Sequence, residues 1–143
     1  MKTLSVIGYL GMIGGLLGLL ATGSLLFRSP LVIVPQAAAV WLLIWARLAF
    51  GRRSFHLAAN PTEGGLVTTG PYRFIRHPIY TAVCLFAGAG AAAHLSGTTA
   101  LLGGLVLASA LARIGCEEQL VSARYPEYRA YAARTWRMIP YVF

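Results

Sequence analysis

Two short runs of polar residues carry most of the chemistry this sequence can offer. The first is Gly70-Pro71-Tyr72-Arg73-Phe74-Ile75-Arg76-His77-Pro78-Ile79-Tyr80, where a loop of glycine, aromatic and cationic residues runs straight into an apolar segment. Proline suits the first position of a helix, because its missing N–H would be unpaired there anyway. A helix is therefore expected to begin at Pro78, with its positive end facing Arg76, His77 and the loop backbone. That arrangement attracts an anion such as a carboxylate or phosphate. His77 taken alone would read as an ordinary cap; Arg76, Pro78 and Tyr80 beside it make it a candidate for chemistry. The second run is Arg113, Glu117 and Glu118, at the expected end of another apolar segment. Arg113 and Glu117 are four apart and share a helix face. A plain intrahelical ion pair would account for them, but charge close to a bilayer is costly and usually has a purpose. Two carboxylates at a helix C-terminus also oppose its dipole, which favours a cationic or hydroxyl-bearing ligand.

Other chemistries find less support. The three histidines are scattered without metal-ligand spacing, so no metal site is expected. No glycine fingerprint marks a nucleotide-binding strand–helix turn. Cys84 and Cys116 form no CxxC pair and read as reduced side chains in or beside apolar segments.

The elements that must position these residues are membrane helices. The chain has 143 residues, one domain's worth. It is 57% apolar and 11% charged, against about 25% charged in ordinary soluble domains. The net charge of +8 raises nucleic acid as a partner, but the basic residues lie between apolar spans long enough to cross a bilayer. Thr3 to Phe27 carries no charge and is longer than the roughly 7–15 residues of a signal-peptide core, so a retained span is expected over about 4–27. Gly11, Gly14, Gly15 and Gly18 recur there, a spacing that lets helices approach closely in lipid. A second span is expected over about 31–50, with Trp41 and Trp45 near one interface. From Pro78 to Ala112 there is no Asp, Glu, Lys or Arg. One helix of that length would measure roughly 52 Å, too long for a core of about 30 Å. The run 94–99 is the natural turn, giving a hairpin of spans 78–95 and 98–116.

The expected fold is thus all-α: a polytopic integral membrane protein of four transmembrane helices, the last two a hairpin, forming a single domain over 1–143. A polar loop and a tail over 117–143 complete it. The tail, with Tyr128, Tyr131 and Trp136 interleaved with Arg129, Arg134 and Arg137, reads either as an amphipathic helix on anionic membrane lipids or as a helix packed on the loop. Four spans put every Lys and Arg except Arg28 on one side, so the positive-inside rule makes both termini cytoplasmic. The hairpin returns Arg113, Glu117 and Glu118 to the face that holds Arg76 and His77.

At these residues the sequence resembles the isoprenylcysteine carboxyl methyltransferase family and its phospholipid methyltransferase relatives. The likeness rests on Gly-Pro-Tyr-x-x-x-Arg-His-Pro-x-Tyr at 70–80, Arg-x-x-x-Glu-Glu-x-Leu at 113–120, Tyr125-x-x-Tyr128 and the closing Arg137-Met-Ile-Pro140. It covers about Gly64 to Pro140. The resemblance implies an S-adenosyl-L-methionine-dependent membrane methyltransferase with its cofactor in a cytosolic pocket and a lateral opening for a lipophilic or lipidated acceptor. It implies cofactor contacts from Gly64, Gly65, Leu66 and Val67, from Tyr72, Arg76, His77, Pro78, Ile79 and Tyr80, and from Glu117 and Glu118. It places Arg113 at the acceptor. Carboxyl O-methylation is the leading reading; phospholipid N-methylation and thiol S-methylation are alternatives. A sterol-type reductase using NADPH shares the Arg-His-Pro-x-Tyr stretch, and a non-enzymatic membrane subunit would share the fold.

Overall fold

Glycine and proline punctuation sets the helix ends, and a computed structural model shows how. It describes residues 2–51 and 65–143. Helix α1 spans Lys2–Ala21, α2 Pro30–Phe50, α3 Pro78–Ala93, α4 Gly97–Arg124 and α5 Tyr128–Ala132, with a 3-10 turn at Gly70–Arg73. Among the described residues three helices are long and apolar enough to cross a membrane, over Thr3–Ala21, Pro30–Phe50 and Gly97–Arg124, and Pro78–Ala93 is a shorter apolar helix. The protein is an all-helical, polytopic membrane protein. Among the described residues the sole extended pairing is an isolated parallel bridge between Ile75 and Trp136.

α1 stops six residues before the expected end at Phe27. Gly23 takes a positive φ of 67°. The Ser24 N–H then reaches the Leu19 carbonyl at 2.8 Å and the Gly23 N–H reaches that of Leu20 at 3.0 Å, the paired bonds of a Schellman ending. Hydropathy cannot see this stop, because residues beyond it are still apolar. At the hairpin, the Ser96 side chain accepts from the Thr99 N–H and the Thr99 side chain accepts from the Ser96 N–H, a reciprocal cap that starts α4. Pro78 opens α3 as expected.

The arms of the hairpin are unequal, which corrects the expected matched pair. α3 has 16 residues and α4 has 28, or roughly 24 Å and 42 Å. Glu117 and Glu118 therefore lie inside a helix, with almost two further turns before Arg124. The tail is corrected too. Beyond the end of α4, five residues, Tyr128–Ala132, form a helix, and Trp136 lies beyond it in the bridge to Ile75. The tail packs on the 70–77 loop: Tyr128 and Tyr131 are buried, and the Tyr131 phenol donates to the Tyr72 carbonyl at 2.6 Å.

α1 runs antiparallel along α4, and the seam is built on glycine. A Cβ on Gly8 would lie 2.9 Å from the Arg113 Cγ, and one on Gly15 would lie 2.6 Å from Val106 and 3.0 Å from the Leu102 carbonyl. Gly11 and Gly18 face Ser109 and Leu102 in the same way. The expected close contact is present, but Gly14 is not part of it; a Cβ there meets nothing within 4 Å. Gly8 takes its place, one helical period earlier. Met12 and Leu19 from this face join Tyr80, Ala87 and Ala91 of α3 and Val106, Ala110 and Ile114 of α4 in one core. α2 packs along α3.

Gly15→Val should force the α1–α4 seam apart and lower stability by about 1–3 kcal/mol, the usual range for overpacking. Gly14→Ala should leave stability unchanged or slightly higher. Thermal unfolding of both variants in the same detergent checks this; equal losses would mean that the two helices do not meet on the 8/11/15/18 face.

Candidate active site

The 3-10 turn brings the loop under α2, and it needs a glycine to do so. Gly70 has φ 59°, and a Cβ there would lie 2.8 Å from the Ala49 Cβ. The next turn buries Tyr72 against Phe50, with ring centroids 5.4 Å apart. Burial pushes the Tyr72 phenol well above its ordinary range, the nearby charges of Tyr131 and Glu117 adding to it. The loop backbone then pairs with the tail: the Arg76 N–H donates to Trp136 at 2.7 Å and the His77 N–H to Arg137 at 3.0 Å. Arg76, His77 and the start of α3 are thereby fixed at one end of the bundle.

The anion that this cationic corner attracts is one the chain supplies. Arg76 Nε donates to Glu118 Oε1 at 3.0 Å, and His77 Nε2 lies 3.4 Å from the same oxygen. Arg137 Nη2 approaches Glu118 Oε2 at 2.9 Å. Arg76 Nη1 also donates to the Ala132 carbonyl at 3.0 Å and to that of Thr135. Burial and then the nearby Glu118 charge push the Tyr128 phenol well above its ordinary range, so it stays neutral. Tyr131, pushed up to about 12 mainly by burial, likewise stays a donor. Glu118 thus joins α4, the loop and the tail.

Glu117 points elsewhere. Adjacent helical residues diverge by about 100°, so Glu117 faces Tyr80 and Arg113. The Tyr80 phenol donates to Glu117 Oε1 and accepts from Arg113 Nε at 2.7 Å. Arg113 Nη2 reaches Glu117 Oε1 at 3.4 Å, and Nη1 donates to the Ser5 carbonyl at 3.0 Å. The Arg113 guanidinium also lies 5.1 Å from the Tyr9 ring centroid, within cation–π range. The second Glu117 oxygen has a looser neighbour, His77 Nδ1 at 3.8 Å, and this side chain is 26% exposed where that of Arg113 is 5%.

The structure therefore brings together Arg76, His77, Tyr80, Arg113, Glu117 and Glu118. Pro78 is buried at the start of α3 and Ile79 is half-buried beside it. Gly65, Leu66 and Val67 are half-buried in irregular chain leading to the 3-10 turn, and Gly64 lies outside the described residues. Ser5 and Tyr9 were not anticipated, because nothing in an apolar first helix marks a backbone carbonyl or one ring as a partner for a charge 100 residues on. Arg137 was read as an interfacial cation; its role as a Glu118 partner follows from the tail folding back.

Removing Glu118 would strand Arg76 without its carboxylate. Glu118→Ala should cost about 3 kcal/mol, as for breaking one side of a buried pair, and should speed tryptic cleavage at Arg129 and Arg134. Glu127→Ala, at an exposed position that caps nothing through its side chain, should do neither. Unfolding curves and timed proteolysis of the two variants give the comparison.

Comparison with known proteins assigns the chain to a family. Residues 29–123 match the model of the isoprenylcysteine carboxyl methyltransferase (ICMT) family. Over 78 residues the chain is 42% identical to the nickel-cobalt-cadmium resistance protein NccN of Alcaligenes xylosoxydans xylosoxydans, covering 52% of this chain and 36% of that protein. It is 37% identical over 78 residues to the cobalt-zinc-cadmium resistance protein CzcN of Cupriavidus metallidurans, covering 52% of this chain and 35% of that one. The matched stretch is thus about a third of the length of these curated relatives. No solved structure matches. With the matched region running from the start of α2 almost to the end of α4, and both polar clusters inside it, the chain belongs to the isoprenylcysteine carboxyl methyltransferase family.

Proposed function

We propose that this protein transfers a methyl group from S-adenosyl-L-methionine to a lipophilic acceptor at the cytosolic membrane face, with carboxyl O-methylation the favoured reaction. The observation that carries this reading is the state of Glu117. One oxygen is held by Tyr80 and Arg113, while the other has only His77 at 3.8 Å and the side chain is partly exposed. A carboxylate so held can accept from an ammonium or from ribose hydroxyls without giving up its anchor. The rings of Tyr80 and His77, 5.9 Å apart, stand beside it, and aromatic faces favour a sulfonium cation as they do other cations. The residues present therefore fit this cofactor.

Glu117, His77, Tyr80 and Tyr72 would hold the cofactor, with Gly65, Leu66 and Val67 contributing loop contacts; Gly64, Pro78 and Ile79 complete the proposed set. Arg76 and Glu118 would act by fixing His77 and the tail, since their polar atoms already bond protein partners. Bound there, S-adenosylmethionine supplies a methyl group on an already activated sulfur leaving group. The protein's task is then alignment more than acid–base chemistry. A carboxylate acceptor is ionised near pH 7 and needs no base. Arg113, the buried cation behind Tyr80, would be its counter-charge and would position it through its field, its own hydrogen bonds going to Tyr80, Ser5 and Glu117. An amine or thiol acceptor must lose a proton, for which Glu117 or His77 would be the receiver. The basic excess on the side that holds the site supports a cytoplasmic orientation of both termini.

The relatives named for metal resistance set no chemistry for this chain; among the described residues no group of three His, Cys, Asp or Glu is placed to hold a metal ion.

Purified protein should bind radiolabelled S-adenosylmethionine, and should methylate a prenylcysteine analogue in preference to phosphatidylethanolamine or a small thiol. Binding of NADPH without S-adenosylmethionine would overturn the proposal. Glu117→Ala should weaken cofactor binding at least tenfold, about 1.4 kcal/mol. Arg113→Ala should instead raise the KM for acceptor with a smaller effect on cofactor affinity. Equal changes in both constants in both variants would remove the assigned roles.

A further inference from the structure

The end of the bundle away from Glu117 holds a second feature, independent of the proposed chemistry. A groove of about 530 Å³ lies between α2 and α3, walled by Val32 and Pro35 on one side, Gly88 and Ala92 on the other, and Phe27 and Ser29 from the α1–α2 turn. Its volume falls in the range of roughly 300–1,000 Å³ typical of ligand sites. On α3 its wall lies to one side of the core, Gly88 and Ala92 standing about 60–140° around the helix from Tyr80, Ala87 and Ala91 with Cys84 bordering both, and none of Arg76, His77, Tyr80, Arg113, Glu117 and Glu118 lines it. The groove is thus not an extension of the candidate active site.

Buried polar bonds fix the elements that border the groove. Gln36 on α2 is buried, and its amide donates to the Leu25 carbonyl at 2.6 Å and the Phe86 carbonyl at 3.2 Å. One side chain therefore ties the α1–α2 turn to α3. Gly90 lets the turn lie directly on α3; a Cβ there would meet the Leu25 carbonyl at 2.3 Å. Phe27 stands edge-on to His94 at 5.0 Å. Apolar walls exclude water, so hydrocarbon fills such a groove in a bilayer. What selects the lipid is charge. Arg28, exposed between the two lining residues Phe27 and Ser29, is the one Lys or Arg in the two turns at this end. Glu117, Glu118 and Glu127 are all at or beyond the other end, and the chain has no Asp. No carboxylate of the described residues is placed to neutralise Arg28. The Ser29 hydroxyl, at the N-cap of α2, makes no capping bond.

We infer that this groove binds one anionic phospholipid, with an acyl chain between α2 and α3 and its phosphate at Arg28 and Ser29. Two substitutions separate the parts. Gly88→Leu puts a side chain into the groove from a position where a Cβ meets nothing within 4 Å; Arg28→Gln removes the charge and leaves the groove.

The test uses full-length protein in nanodiscs of equal phosphatidylglycerol and phosphatidylcholine with identical acyl chains, released for native mass spectrometry to identify lipids that stay bound. The basic end of the bundle also attracts anionic lipid, so lipid retained by the double variant Arg28→Gln/Gly88→Leu is subtracted and the ratios refer to the remainder. The wild type should keep a phosphatidylglycerol at least tenfold over phosphatidylcholine. Arg28→Gln should bring that ratio near one, and Gly88→Leu should remove the retained lipid of either kind, both variants melting as the wild type does. Equal retention of the two lipids by the wild type would overturn the inference. So would a phosphatidylglycerol preference that survives either substitution in protein that melts normally, and a variant that melts early is replaced by Arg28→Lys or Gly88→Val, judged by the same ratios.

Discussion

Everything at the polar end depends on how two neighbouring carboxylates, Glu117 and Glu118, are paired. Charge in or beside a bilayer must find a partner or be lost as charge. These two find different partners because a helix turns about 100° between adjacent residues. Glu118 turns to Arg76, His77 and Arg137 and so joins α4 to the loop and the tail. Glu117 turns to Tyr80 and Arg113 and so joins α4 to α3 and, through Ser5, to α1. One step of helix divides the work between holding the walls and presenting a carboxylate that keeps an accessible oxygen.

The α1–α4 seam sets where that division falls. Gly8 allows α1 to lie against the Arg113 stem, and the Ser5 carbonyl and Tyr9 ring, three and one residues either side, meet its guanidinium. Thus the same close approach that packs the helices also desolvates the cation, and a desolvated cation must be satisfied by hydrogen bonds. Tyr80 supplies an acceptor in its phenol and passes its own proton towards Glu117, so the bonds run in one direction from Arg113 through Tyr80 to the carboxylate.

What could be read from the sequence follows from what kind of interaction is local. The start of α3 at Pro78 and the turn at 94–96 were legible, because proline chemistry and the Ser96–Thr99 cap are set within a few residues. The meeting of Arg76 and His77 with Glu117 and Glu118 was legible because a hairpin in a bilayer must return to the side it left. The end of α1 was not, since Gly23 had to be told from the other glycines by its φ. Nor was the length of α4: past Cys116 its stability comes from Glu117 and Glu118 finding partners on other elements, which no helical period records. For the same reason the sequence left two readings of the tail open, a membrane surface or packing on the loop. Its alternation of rings and arginines suits a membrane surface, but Tyr131 and Arg137 are committed to Tyr72 and Glu118.

The unequal hairpin places the candidate site with respect to the membrane. A crossing of about 30 Å takes roughly 20 residues, which α4 completes near Cys116; Glu117 is the first residue past it. α3, at 16 residues, is shorter than the core by about 6 Å. A short helix paired with a long one draws its own entry loop inward, towards the hydrocarbon boundary. Arg76, His77 and Tyr80 are then met by Glu117 at the level where lipid headgroups begin. That depth suits the function proposed above, in which a water-soluble donor would arrive from the aqueous side and an acceptor with a hydrocarbon tail from the bilayer. Matched arms would have put the polar corner in water and the carboxylates at the end of their helix, where Glu117 would have no following turns to hold its direction.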